Sequence, residues 1–322
     1  MNAPLRARRT EPPDRAAPVA SALYDEATLS RLRNLVIHAH RLAATGLAGE
    51  HRSRRRGLSP EFSDFKPYAP GDDFRRIDWK TYARLDELFV RESETTTEYD
   101  IHILIDESPS MDWTSDDDRP TKLRYALQLA GAVAYLSLWH FDRITLSSLG
   151  ARNPRRLGPL QGRNQILPAF RFLEGQTSAP GAAVSPSIER YVHEKSRPGI
   201  LIVLSDCLDD DAQGLERATQ RLAARGWETC LIRIEDPAER DPALLLDPDA
   251  NVELADSEAA ARLQVSGNER TLASYRTDRR AWADELATLG TGSQRLHYLT
   301  VATDEPVESV VFSRLRILGV VH

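Results

Sequence analysis

Apolar residues in this chain fall into short solid runs and longer periodic stretches, and the two kinds alternate. Ile101–Ile105 is a β-branched run that ends abruptly at Asp106, the pattern of a strand buried on both faces. Ile200–Leu204 is a second such run, ending in Ser205-Asp206. Ile144–Leu149, Glu228–Ile234 and Leu296–Thr300 read as further strands, with Arg152–Leu157 as a turn-and-strand extension. Between them, helical spacing predicts helices over Leu123–Phe141, Gln165–Leu173, Gly214–Arg225 and Arg270–Leu289, one ending through Ile188–His193, and a terminal helix at Pro306–Leu318. Asn251–Val265 has room for a short hairpin. Strands alternating with helices predict an α/β fold with a doubly wound, mostly parallel sheet.

The N-terminal part differs. Met1 to about Ala20 is rich in Pro, Ala and Arg without periodicity, the composition of a disordered tail. Leu29, Leu32, Leu35, Val36 and Leu42 then predict one helix, closed by Gly46 and Gly49. From Glu61 to Glu98, turn residues and short apolar runs such as Leu88-Phe89-Val90 and Thr95-Thr96-Thr97 predict a small β-rich elaboration on the sheet. The organisation expected is therefore a tail over 1–20, the helix and β-rich segment over 21–95, and the main domain over 96–322.

Candidate chemistry gathers where strands stop. Asp106, Ser108 and Ser110 offer three small oxygen groups at alternate positions after the first buried run. Asp206 ends the second, and the Gly175-Gln176-Thr177 loop between them carries a hydroxyl. In open α/β sheets ligands bind at the carboxyl ends of strands, and such oxygens suit a hard cation, Mg²⁺ or Mn²⁺. Together the five residues resemble the metal-ion-dependent adhesion site of von Willebrand factor A-like domains. Without that site, Asp106 would merely cap a turn and the serines would start a helix. Asp209 of the Asp209–Asp211 run could add negative field behind the cation, although carboxylates before a helix need no further explanation.

A denser signature lies upstream. Gly57-Leu58-Ser59-x-Glu61-Phe62 is followed by Tyr68-x-Pro70-Gly71-Asp72-Asp73-x-Arg75-x-Ile77-Asp78-Trp79-Lys80 and then Ala83-Arg84. With the Asp106 strand, these motifs closely resemble the bacterial family called domain of unknown function 58, from about Leu47 onward. Lys66 stands where that family commonly has Arg, and Gln176 where it commonly has a second Gly. The resemblance implies a von Willebrand factor A-like fold and partnership with a MoxR-type AAA+ ATPase in chaperone-like maturation or assembly of protein complexes; the residues, which show no Cys–His or Ser–His–Asp spacing, predict a protein that is not an enzyme. In that setting an acidic side chain of a protein ligand would complete the metal site. The signature residues Asp72, Asp73, Arg75, Asp78, Trp79 and Arg84 read as a buried ion network or as a partner surface.

Composition narrows the alternatives. The 322 residues are 41% apolar and 28% charged, with net charge −6, enough for a sizeable core and unfavourable for general nucleic-acid binding. The basic run His51–Arg56 lacks aromatic residues arranged for base stacking and reads as a loop paired with Glu61, Asp64, Asp72 and Asp73. The start of the chain lacks the apolar segment of a signal peptide, and no run approaches the roughly 18 residues that span a bilayer. Cys207 and Cys230 read as buried reduced thiols, and a cytoplasmic location is expected. The rival chemistries are a metal-dependent phosphoester hydrolase, which would need a second acid where Ser108 stands, and a metal-free scaffold. His102, within the first strand, reads as a hydrogen-bonded structural imidazole.

Overall fold

A computed structural model of the chain describes residues 61–68, 82, 88–94, 100–149, 154–180, 183–194, 197–208, 212–244, 251–255, 262–266, 268–289 and 295–315. The expected tail, the first helix, the basic run and Thr95–Thr97 lie outside those residues. So do Asp209 and the signature residues Pro70, Gly71, Asp72, Asp73, Arg75, Asp78, Trp79 and Arg84.

The elements alternate as the periodicity predicts. Strands β1 (Glu61–Pro67) and β2 (Phe89–Glu94) precede β3 (Asp100–Asp106), α1 (Lys122–Trp139), β4 (Arg143–Leu149) and β5 (Arg156–Gln161). Helices α2 (Ile166–Glu174) and α3 (Val184–His193) lead to β6 (Ile200–Ser205), α4 (Ala212–Ala224), β7 (Glu228–Glu235) and the one-turn α5 (Pro237–Arg240). Then come β8 (Asn251–Ala255), β9 (Arg262–Ser266), α6 (Glu269–Thr288) and β10 (Leu296–Ala302). A helical turn over Val307–Ser309 continues as a π-helix over Val310–Leu315, and the rest of the expected terminal helix lies outside the described residues.

One six-stranded sheet runs in the order β10-β7-β6-β3-β4-β5. Every neighbouring pair is parallel except β4 with β5. The expected strand at Arg152–Leu157 lies later, at Arg156–Gln161, and runs antiparallel on the edge. Its Gly158 has φ +123°, a conformation L side chains avoid, and a Cβ there would lie 2.6 Å from the Ile144 carbonyl oxygen. Glycine at this position lets the edge strand approach β4 closely. The β1–β2 and β8–β9 pairs each form a separate two-stranded antiparallel sheet. Among the described residues, β1 and β2 therefore do not join the main sheet.

Burial on both faces explains the solid apolar runs. Ile101, Ile103 and Ile105 pack with Ile202, Leu204 and the apolar face of α1. Leu104, Leu201, Val203 and Leu231 point the other way, onto α3, α4 and Leu286 of α6. Alternation along each strand thus serves two cores, and β3 and β6 lie at the centre of the sheet where both are thickest. His102 is buried, and its Nδ1 is 2.8 Å from the Tyr191 hydroxyl, so the structural reading of this imidazole holds. Both thiols are buried and unbridged, and burial pushes Cys230 up to about 12.

The central pair of strands is fitted closely at its lower end. A Cβ on Gly199, just before β6, would lie 2.1 Å from the Asp100 carbonyl oxygen. Gly199→Ala must therefore push β6 from β3 and should cost about 2 kcal/mol or more. Urea denaturation should show a lower midpoint at unchanged slope.

Candidate metal centre

The carboxyl ends of β3 and β6 meet at one polar cluster. Asp106 ends β3 with its side chain buried, and its Oδ1 accepts from the Ser108 N–H at 2.9 Å. Its Oδ2 accepts from the Ser205 hydroxyl at the end of β6. The chain then makes a single 3₁₀ turn over Pro109–Met111, which brings the Ser108 and Ser110 hydroxyl oxygens to 3.0 Å. Two oxygens of an octahedral Mg²⁺ shell, each about 2.1 Å from the ion, are separated by about 3.0 Å. The serine pair thus has the spacing of one octahedral edge.

Electrostatics sharpen the picture. Burial pushes the Asp106 carboxyl up to about 6; the Asp206 charge adds to the rise, and the bonds from Ser205 and Ser108 oppose it. Two carboxylates at adjacent strand ends are costly to ionise together unless a cation lies near. One cation is built in. Lys122, in the first turn of α1, is 1% exposed and donates to Asp206 Oδ2 at 2.7 Å and to Glu239 Oε1. Burial alone would lower its ammonium, but Asp206 and Glu239 outweigh this and hold it above the usual lysine range. The remaining Asp206 oxygen, Oδ1, accepts from the Leu208 N–H at 3.2 Å.

The Thr177 loop is tied to the same edge. Ala179 N–H donates to the Glu107 carbonyl at 2.7 Å. Arg155 donates to the Gly175 carbonyl at 2.7 Å and to the buried Glu107 carboxylate at 3.3 Å. Gln176 is buried and donates from Nε2 to the Phe172 carbonyl at 2.7 Å, fixing the start of the loop. Thr177 itself is exposed, and its hydroxyl makes no hydrogen bond among the described residues. The structure thus joins Asp106, Ser108 and Ser110 directly and sets Asp206 beside Asp106, whereas Thr177 makes no hydrogen bond with them among the described residues and is linked only through the ties of its loop to Glu107 and Arg155. No three His, Cys, Asp or Glu side chains converge to hold a metal among the described residues. A cation at this edge would depend on the hydroxyls.

Four contributing residues escaped sequence reading. Lys122 stands one position before the predicted helix start and looks like an ordinary solvated charge. Its spacing with Tyr125, Ala126 and Leu129 on the buried face was the available signal. Ser205, Glu107 and Glu239 carry no motif of their own. The Asp116–Asp118 run before α1 is exposed.

The sheet is open and mostly parallel, with an Asp-x-Ser-x-Ser loop at the carboxyl end of the central strand β3. The chain belongs to the protein family of unknown function DUF58, whose sequence model matches residues 64–284. An uncharacterized protein of Mycobacterium tuberculosis, Rv1480, is 26% identical over 246 residues, 75% of this chain and 74% of that protein. Among solved structures, the SpRpn10 VWA domain matches 66% of this chain and 93% of its own at 14% identity, with a TM-score of 0.37. Proximal thread matrix protein 1 of the mussel byssus, solved with a zinc-occupied MIDAS motif, matches 69% and 47% at 10% identity and a TM-score of 0.38. Manganese-loaded TRAP protein of Plasmodium vivax matches 69% and 74% at 11% identity and a TM-score of 0.35. No described helix is long and apolar enough to cross a membrane.

Two stability predictions follow from the charges around the cluster. Lys122→Met leaves Asp206 and Glu239 buried without their ammonium and should cost about 3–5 kcal/mol in chelator, read by urea denaturation. Asp236, which caps α5, accepts from the Ser115 hydroxyl and from the N–H groups of Ser115 and Ala238. Burial raises its carboxyl, but these bonds outweigh burial and hold it below the usual range. A lowered acid stabilises the fold above its unfolded value, and that contribution vanishes as pH falls through the folded value. Asp236→Ala should therefore cost about 1–2 kcal/mol at pH 7, with the gap to wild type closing below about pH 4.

Proposed function

We propose that this protein is a metal-gated protein-recognition module. Ser108 and Ser110 would bind Mg²⁺ or Mn²⁺ through their hydroxyls, with Thr177 joining from its loop and Asp106 and Asp206 acting directly or through water. The observation that carries this reading is the 3.0 Å serine pair beside two buried carboxylates. The charge count also favours a dication. Asp206 and Glu239 share one ammonium, Lys122, and Asp106 beside them has no cationic partner among the described residues, so with all three ionised the excess is two negative charges, which one dication neutralises. When bound, the ion supplies a Lewis-acidic point, left electrophilic by neutral hydroxyl ligands, for an acidic side chain of a partner.

The rim supports a protein as that partner. Trp113 follows the serine turn and Leu208 follows Asp206; they are 38% and 48% exposed. Apolar side chains beside a polar centre are the usual composition of a recognition surface. The partner we propose is a MoxR-type AAA+ ATPase, as the family resemblance implies, in chaperone-like maturation or assembly of protein complexes. Phosphoester hydrolysis is disfavoured, because Ser108 occupies the position of the required second acid and its hydroxyl is engaged with Ser110.

Calorimetric titration with Mg²⁺ and Mn²⁺ should show one saturable site in the wild type and at least tenfold weaker binding in Asp106→Ala. Co-purification with the MoxR-type ATPase should survive in Mg²⁺ and fail in EDTA or with Asp106→Ala. Equal metal affinity in the two proteins overturns the metal assignment, and capture that persists in EDTA overturns the gating.

A further inference from the structure

A second polar cluster lies on the same edge of the sheet. Arg233 of β7 is in register with Ser205 of β6 and Thr300 of β10. Its side chain is 3% exposed and donates to Glu235. Arg279 of α6, 12% exposed, donates to the same carboxylate at 3.0 Å. Both guanidinium groups lie over the Trp282 ring, at 4.8 and 4.6 Å from its centroid. Arg240 reaches Glu235 from the solvent side at 3.1 Å.

Glu235 is one carboxylate facing the buried Arg233 guanidinium and the partly buried Arg279 guanidinium. Among the described residues, Arg233 Nε and Nη1 and Arg279 Nη1 are buried with no hydrogen-bond partner. The indole face attracts cations but leaves their charge in place. Buried donors without acceptors, and a buried charge without a counter-charge, are each costly. Water would satisfy the N–H groups and leave the charge, whereas an anion answers both. Planar guanidinium forks favour acceptors with two or more oxygens, which means carboxylate or phosphate.

We propose that Arg233, Arg279 and Trp282 form a binding site for an oxyanion of the phosphate or carboxylate class. Arg279 and Arg240 form its solvent side. Arg233 lies one strand from Ser205 and two from Asp106, about 10 Å across the sheet, so the site shares no residue with the proposed metal centre and does not rest on it.

The test is calorimetric titration of the full chain with inorganic phosphate and, separately, with acetate, at fixed ionic strength set with chloride. One saturable site is expected for at least one of them. Tighter phosphate identifies a free or phosphoryl anion, and tighter acetate identifies a peptide carboxylate. Affinity should fall at least tenfold in Arg279→Gln and severalfold in Arg279→Lys, which keeps the charge and loses the fork. Arg276→Gln, exposed and paired with Asp241, and Asp106→Ala should both bind as the wild type does. Absence of any saturable site in the wild type overturns the proposal, and so does wild-type affinity in a folded Arg279→Gln.

Discussion

Two carboxylates buried side by side set the terms for the upper edge of this sheet. Asp106 and Asp206 end the adjacent central strands β3 and β6, where both faces of the sheet are covered and water is scarce. Burial first, and the neighbouring Asp206 charge after it, push the Asp106 carboxyl up to about 6. The surroundings are built to hold that charge. Ser205, the Ser108 N–H and the Leu208 N–H donate to the carboxylate oxygens, and the Lys122 ammonium bridges Asp206 to Glu239. The start of α1 is consequently fixed to the end of β6 and to α5 through one buried ion pair.

The same logic extends outward along the loops. Glu107 is buried next to Asp106, and it is matched by Arg155, which also holds the Gly175 carbonyl. The Thr177 loop is thus fastened at both ends by bonds to the residue following Asp106 or to its partner. On the other side, Asp236 fastens Ser115 of the long loop before α1, and Glu239 accepts in turn from the Asp236 N–H. Both of these loops are held by at least one charged side chain paired within the protein. Such loops stay ordered without a large apolar core of their own, which lets their polar tips face a ligand.

The strands were legible because burial on both faces demands unbroken apolar runs, and Ile101–Ile105 and Ile200–Leu204 meet that demand plainly. Asp106 and Asp206 were legible for the complementary reason, since a carboxylate that ends such a run must lie at the sheet edge. Local pattern fails where pairing partners are distant in sequence. Lys122 meets Asp206 across 84 positions and Glu239 across 117, so nothing near it in the chain marks it as buried. Arg233 and Glu235 alternate with isoleucines in a strand, a pattern that ordinarily signals one solvated face, yet α6 covers that face with Arg279 and Trp282. The edge strand β5 was placed too early because Gly158 and Pro159, usual loop residues, lie inside it.

How the carboxylates are already engaged bears on how a cation could be held. Each of the four oxygens of Asp106 and Asp206 accepts one bond from the protein, leaving about one lone pair on each. The Ser108 and Ser110 hydroxyls are neutral and pair with each other, and the Ser108 side chain also bonds to Asp106. A hydroxyl that donates its proton keeps lone pairs for direct coordination, and the carboxylates are suited to orienting water around an ion while supplying its countercharge. A site of that kind binds its cation less tightly than an all-carboxylate cage and leaves more of the positive field directed outward. Under the proposed function, weak intrinsic affinity and an outward field would make ion and acidic partner mutually dependent, since each would bind better when the other is present.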